Sequence, residues 1–219
     1  MTNFLKIPYQ QEIIHSPEKL IILRGALRCG KTEIVVRWAI EQMKRQKNVV
    51  IILGLHVDIS HVFELLTTTL RSQRVPFSSY SILRKIRTRY GIIRILTIPD
   101  IETFKGESSI YQAFAIDNAD FFSPSLYSNL NISPEASLLI AGTLSSCTME
   151  LYLTPENVGN KRIYKEINYH HMVNFGLLEK DVLSQLRHAL REKDFKKSFG
   201  PWAPRNNKES KHVLKNMYD

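Results

Sequence analysis

A mainly parallel α/β sheet flanked by helices is the fold class this sequence predicts, on three observations. Five apolar runs of strand length recur along the chain, segments of helical period lie between them, and a glycine-bounded loop joins the first run to the first helical segment. The runs are Lys19 to Leu23, Asn48 to Leu53, Ile92 to Ile98, Tyr111 to Ile116 and Ser137 to Ala141. They are short and rich in strand-forming residues, and their unbroken hydrophobicity predicts central strands covered on both faces.

Between the runs, Thr32 to Gln46 repeats apolar residues at helical spacing (Ile34, Val35, Trp38, Ala39, Met43), and Asp58 to Leu70 does the same with Val62, Phe63, Leu65 and Leu66. Strands that alternate with helices predict parallel pairing. Ile82 to Arg89 and Ile92 to Ile98 flank Tyr90-Gly91, a pattern that also fits a hairpin at one sheet edge, with its basic first arm exposed. After Thr154-Pro155 the composition shifts to Asn, Gly and Lys, and helical spacing returns from Glu179 to Lys197. The chain therefore reads as a core over 1–154 and a small lid or linker subdomain over 155–219, with a loosely ordered basic tail from Gly200.

With 219 residues, 43% of them hydrophobic and 23% charged, the chain can bury one sizeable core. No stretch nears the roughly 18 apolar residues that span a bilayer, and the N terminus lacks a signal-peptide pattern, so a cytoplasmic protein without a membrane partner is expected. Cys29 and Cys147 are too few for a metal cluster, and a disulfide at Cys29 would distort the loop it occupies, so a reducing compartment is expected. The formal charge of +9 favours a polyanionic partner, because basic side chains release counterions from a phosphate backbone. The bias concentrates in Arg71, Arg74, Arg84, Lys85, Arg87, Arg89 and Arg94, a stretch free of acidic residues. Within it Arg84, Lys85, Arg87 and Arg89 are the candidate nucleic-acid contacts, and a merely solvated face is the other reading.

The motif that carries chemistry is Gly25-Ala26-Leu27-Arg28-Cys29-Gly30-Lys31-Thr32, which has the G-x-x-x-x-G-K-[ST] spacing of a Walker A loop. It follows an apolar run and opens a helical segment, so backbone N–H groups and the helix N terminus converge on phosphate. Lys31 would there neutralise the β and γ phosphates of ATP, and Thr32, one residue on, would face Mg²⁺. The second metal-associated group is expected from Asp117, a Walker B acid ending the run Ala113-Phe114-Ala115-Ile116 on a neighbouring strand. A carboxylate at a buried strand end is costly unless a cation or a hydrogen bond compensates. These motifs predict a P-loop NTPase of the RecA/ASCE type that hydrolyses ATP.

Asn118 stands where many ATPases carry a Glu that orients or deprotonates water. An amide cannot take a proton, so turnover is expected to be weak unless Asp120 takes the role, and Asn118→Glu is expected to restore it in a degenerate subunit. Arg28 or Arg24 is the candidate charge stabiliser in cis, and an Arg from an adjacent subunit is an equal alternative. Upstream, Gln10 offers a donor and an acceptor to an adenine edge, and Tyr9 offers a stacking face. Thr143 ends the run after Ala141-Gly142, either as a γ-phosphate sensor or as a strand-closing turn.

Taken in order, Tyr9-Gln10, Gly25 to Thr32, Phe104-Lys105-Gly106, Ile116-Asp117-Asn118-Ala119-Asp120 and Ala141-Gly142-Thr143 resemble the ATPase domain of viral large terminase subunits, over roughly residues 5 to 200. The resemblance implies a motor that packages double-stranded viral DNA in the host cytoplasm, with an adenine-reading Gln10, phosphate and metal contacts at Lys31 and Thr32, a metal-associated Asp117 and a coupling motif around Thr143. It also implies a homo-oligomeric ring partnered by a portal, a small terminase subunit and a separate nuclease. Three departures stand out. Asn118 replaces the family's Glu, Leu27 sits where an Arg is common, and about 20 residues after Gly200 are too few for a nuclease domain, so either cutting is expected from another chain or this is an excised motor domain. Two further functions fit the same motifs: an ATP-binding regulatory subunit with little turnover, suggested by Asn118, and a helicase-like ATPase, suggested by Asp117-Asn118-Ala119-Asp120.

Overall fold

A computed structural model describes residues 8–26, 29–55, 57–104, 106–122, 129–143 and 162–167. The elements are α1 (Pro8–His15), β1 (Leu20–Gly25), α2 (Lys31–Lys44), β2 (Val49–Leu53), α3 (Ile59–Ser72), β3 (Phe77–Tyr80), β4 (Lys85–Thr88), β5 (Ile92–Thr97), α4 (Ile101–Phe104), β6 (Ala113–Asp117), β7 (Ser137–Gly142) and β8 (Arg162–Ile167). The strands form one sheet in the order β3-β4-β5-β2-β6-β7-β1-β8. Strands β5, β2, β6, β7, β1 and β8 run parallel, while β3 and β4 add an antiparallel edge. All five apolar runs are strands of this sheet, and Tyr90-Gly91 does turn β4 back on β5 as a hairpin.

Alternation of side chains across the pleat sorts the core into two layers. Val49, Ile51 and Leu53 of β2 and Ala113 and Ala115 of β6 face α1, α2 and α3. Val50, Ile52, Phe114 and Ile116 face the other layer, with Phe104 of α4, Tyr111 and Leu130. Helix α2 packs on the sheet between α1 and α3, and Ile34, Val35, Trp38, Ala39 and Met43 are all buried. Burying one such large apolar side chain stabilises the fold by about 2 kcal/mol, so this helix is anchored along its whole length. Helix α3 starts where Asp58 caps it, accepting from the Ser60 N–H at 2.8 Å.

Two elements depart from the sequence reading. Strand β3 adds a short, mostly exposed edge before the hairpin. Strand β8 pairs with β1 from Leu20↔Arg162 to Gly25↔Ile167, so the core sheet extends past residue 154, where the composition suggested that it ends. The segment 179–197 and the tail lie outside the described residues. Among the described residues no helix is long and apolar enough to cross a membrane.

Candidate nucleotide site

The parallel strands deliver their carboxyl ends to one edge of the sheet, and the candidate residues gather there. Strand β1 ends at Gly25, and the loop after it closes at Gly30, whose φ of 82° lies in the left-handed region that glycine enters without strain. Gly30 is the N-cap of α2 and makes no side-chain cap, so the first-turn amides are not claimed by a capping oxygen. A Cβ on Gly30 would also sit 3.0 Å from Gln10 Nε2, which puts the Gln10 amide against the loop. Leu27 and Arg28 lie outside the described residues.

Lys31 curls over the loop, its Nζ donating to the carbonyls of Gly25 at 2.9 Å and Ala26 at 2.8 Å. Below it Cys29 is fully buried, and that burial raises the thiol's pKa against the opposing charge of Lys31. The loop therefore carries no thiolate that would repel phosphate. Tyr9 is 2% exposed and its hydroxyl donates to the Cys29 carbonyl at 2.7 Å. This corrects the expectation of an open stacking face at Tyr9: the ring is inside the protein and braces the loop from α1. Burial holds its phenol well above the ordinary value, so it stays a hydrogen-bond donor.

Asp117 continues the set of β6 residues that faces α2, so the pleat turns its carboxylate toward the start of that helix. There Thr32 Oγ1 donates to Asp117 Oδ2 at 2.7 Å. At 2% exposure, burial raises the Asp117 pKa, opposed by the Thr32 hydrogen bond, the Lys31 charge and the Asn118 backbone N–H. The strand relation differs from the expected one. β7 lies between β1 and β6, so Asp117 reaches the loop from one strand further away than an adjoining position.

That inserted strand decides what the residues after Asp117 can do. Asn118 has left-handed torsions, φ 56° and ψ 53°, and its Nδ2 donates to the Leu55 carbonyl at 2.6 Å. Leu55 follows β2, on the side of β6 opposite to β7 and β1. Asn118 is therefore a turn residue whose side chain reaches away from the loop strand. Asp120 points the other way, both carboxylate oxygens accepting from the Thr143 N–H at 3.1 Å. Thr143 thus sits at the end of β7 with its amide tied to Asp120.

The basic hairpin is sorted in the same manner. Arg84, itself partly exposed, donates to Asp100 at 2.8 Å, so its charge is shared with a carboxylate of the same chain. Burial alone would lift Asp100, but hydrogen bonds from Thr97 and the charges of Arg84 and Arg94 outweigh it and hold the carboxyl below its ordinary value. Lys85 stands opposite Tyr80 and Arg94, Arg87 stands opposite Ser78, and Arg89 lies over the Tyr90 ring at 4.7 Å. Arg87 and Arg89 are exposed, and the turn between β3 and β4 presents Ile82 at 94% exposure.

Sequence reasoning passed over Gly54, whose role is visible only in space. Its N–H donates to the Asp117 carbonyl at 2.8 Å, and a Cβ there would sit 2.1 Å from the Asn118 oxygen. A glycine directly after the run Val49 to Leu53 was the available clue to so close an approach.

No family model and no curated protein matches the sequence. Solved structures do match in fold. The ATPase domain of the large terminase of Thermus phage P74-26 superposes with a TM-score of 0.66 at 12% identity, covering 87% of this chain and 91% of that domain. The large terminase from a thermophilic bacteriophage gives 0.66 at 12% identity over 89% of this chain, which spans about half (53%) of that protein. The same terminase has been solved in complex with ADP and with ATP-γ-S. The Phi-28 gp11 DNA packaging motor gives 0.50 at 13% identity over 90% of this chain and 68% of that one. The chain has the fold of these P-loop ATPase domains.

Proposed function

We propose that this chain is the ATP-hydrolysing motor domain of a DNA-packaging machine, acting on duplex DNA. The observation that carries the reading is the hydrogen bond from Thr32 to Asp117, which joins the phosphate loop to a buried acid 85 residues away at the same sheet edge. The likeness in fold to terminase ATPase domains supports the choice of motor over other P-loop functions.

The donor set suits magnesium. Thr32 and Asp117 offer hard oxygen ligands, and Mg²⁺ takes few protein ligands because it keeps water and phosphate oxygens around it. Among the described residues no group of three His, Cys, Asp or Glu side chains forms a cage for another metal. When bound, the ion would offset charge on the phosphates. The chain's own residues do the rest. The open amides of α2 and the Lys31 ammonium bind phosphate oxygens, which are stronger acceptors than the loop carbonyls that Lys31 meets here. Gln10 lies against the loop to meet the base. Asp120, oriented by the Thr143 amide toward the β7 end, is the candidate base for the attacking water.

Phosphate release measured with and without duplex DNA tests the proposal. Mg²⁺-dependent release that duplex DNA stimulates is expected. Tight ATP binding without release would instead favour the regulatory-subunit reading. The proposal extends to a ring of copies of this chain, with a portal and a small subunit as partners.

Grip on DNA is assigned to Lys85, Arg87 and Arg89. Replacing all three with Gln should weaken binding to every sequence and flatten the salt dependence by roughly 0.9 in slope for each phosphate no longer neutralised. Arg84→Gln should leave that slope alone and lower the melting temperature slightly, because it removes one of the groups that hold the Asp100 carboxylate, with the Thr97 hydrogen bonds still in place. An unaltered slope in the triple variant would return the hairpin to ordinary solvated surface.

A further inference from the structure

We infer that Asn118 is a positioning residue, a latch that stitches the end of β2 to the end of β6 and thereby aims Asp120 at the phosphate side of the site. The inference rests on the ATPase reading above. Its basis is a cluster of contacts at adjacent strand ends. The Gly54 N–H donates to the Asp117 carbonyl at 2.8 Å, and Asn118 Nδ2 donates to the Leu55 carbonyl at 2.6 Å. The two backbones come this close only because residue 54 has no Cβ, which would meet the Asn118 backbone carbonyl oxygen at 2.1 Å.

The turn itself supplies the direction. Left-handed torsions reverse the chain directly after Asp117, and the 3-10 turn Ala119–Phe121 then carries Asp120 back over β7, where its carboxylate meets the Thr143 N–H. Asn enters this region more readily than other side chains with a Cβ. A Glu at 118 loses on both counts. It carries the strain of a positive φ, and its ionised carboxylate, an acceptor only, cannot donate to the Leu55 carbonyl and would repel it. The departure at 118 is therefore an exchange of proton chemistry for geometry, with the base two residues further on.

Steady-state hydrolysis and amide exchange at Gly54 test the latch in the full chain. Asn118→Gly keeps the torsions and removes the donor, so kcat should fall about 10-fold with KM for ATP unchanged, as for one missing positioning hydrogen bond. Exchange of the Gly54 amide should quicken in the same variant. Asn118→Asp, which also tolerates the turn but lacks the donor and repels the Leu55 carbonyl, should be at least as slow, and Asn118→Glu, which adds the strain of the turn, should be slower still. A Glu variant faster than the native chain, or Gly and Asp variants with native kcat and native Gly54 exchange, would overturn the latch. If the native chain hydrolyses no ATP the motor reading falls, and Gly54 exchange alone then decides: quickened exchange in Asn118→Gly supports the latch and unchanged exchange removes it.

Discussion

Lys31→Ala is expected to abolish nucleotide binding and to cut phosphate release by more than about 100-fold, the scale of removing one preorganised charge donor from a transferring group. The ammonium is the cation held over the loop by the Gly25 and Ala26 carbonyls, and Ala removes it. The fold should survive, because the residue is only partly buried and contributes little core volume. A calorimetric titration with Mg-ATP reads the first effect and thermal unfolding the second. Native ATP affinity in the variant would take Lys31 out of the site.

Asp117→Asn should separate activity from stability more sharply than any other substitution. The amide keeps the shape and still accepts from Thr32, yet it removes the negative charge a cation needs, so turnover should drop by about 100-fold or more. Stability should move the other way. Burial raises the Asp117 pKa above 3.8, so between that value and the raised one the folded chain binds more protons than the unfolded chain. Asp117 therefore lowers stability as pH rises through that window, and the cost persists above it. The Asn variant lacks the titration, so without nucleotide its melting temperature at neutral pH should equal or exceed the native one and depend less on acid pH. A variant that melts earlier at neutral pH would show that the ionised carboxylate is a net stabiliser there.

These two residues were legible in the sequence because their pattern is local. A loop of fixed spacing between a strand and a helix needs only neighbouring residues to be recognised, and an acid ending an apolar run needs only the run. The helices were equally accessible: Ile34 to Met43 and Val62 to Leu66 carry their period in the chain itself. Arg84 was not. Its charge density suggested DNA, and only the fold brings Asp100, 16 residues on, to within 2.8 Å. Tyr9 looked like a stacking ring until α1 packed it beneath the loop. Strand β8 fell in a segment whose composition resembled a linker, and only its pairing with β1 places it in the sheet.

By itself the sequence determined the five apolar strands, helices α2 and α3, and the candidate status of the glycine-bounded loop and of the acid ending β6, because hydrophobic period and motif spacing are properties of consecutive residues. Tertiary structure alone decided that β7 enters between β1 and β6, and with it the opposite directions taken by Asn118 and Asp120. Strand order depends on which distant segments pair, and a single chain's local pattern does not encode it: Asn118 could turn toward either neighbour of β6 until Leu55 lay on one side and Thr143 on the other.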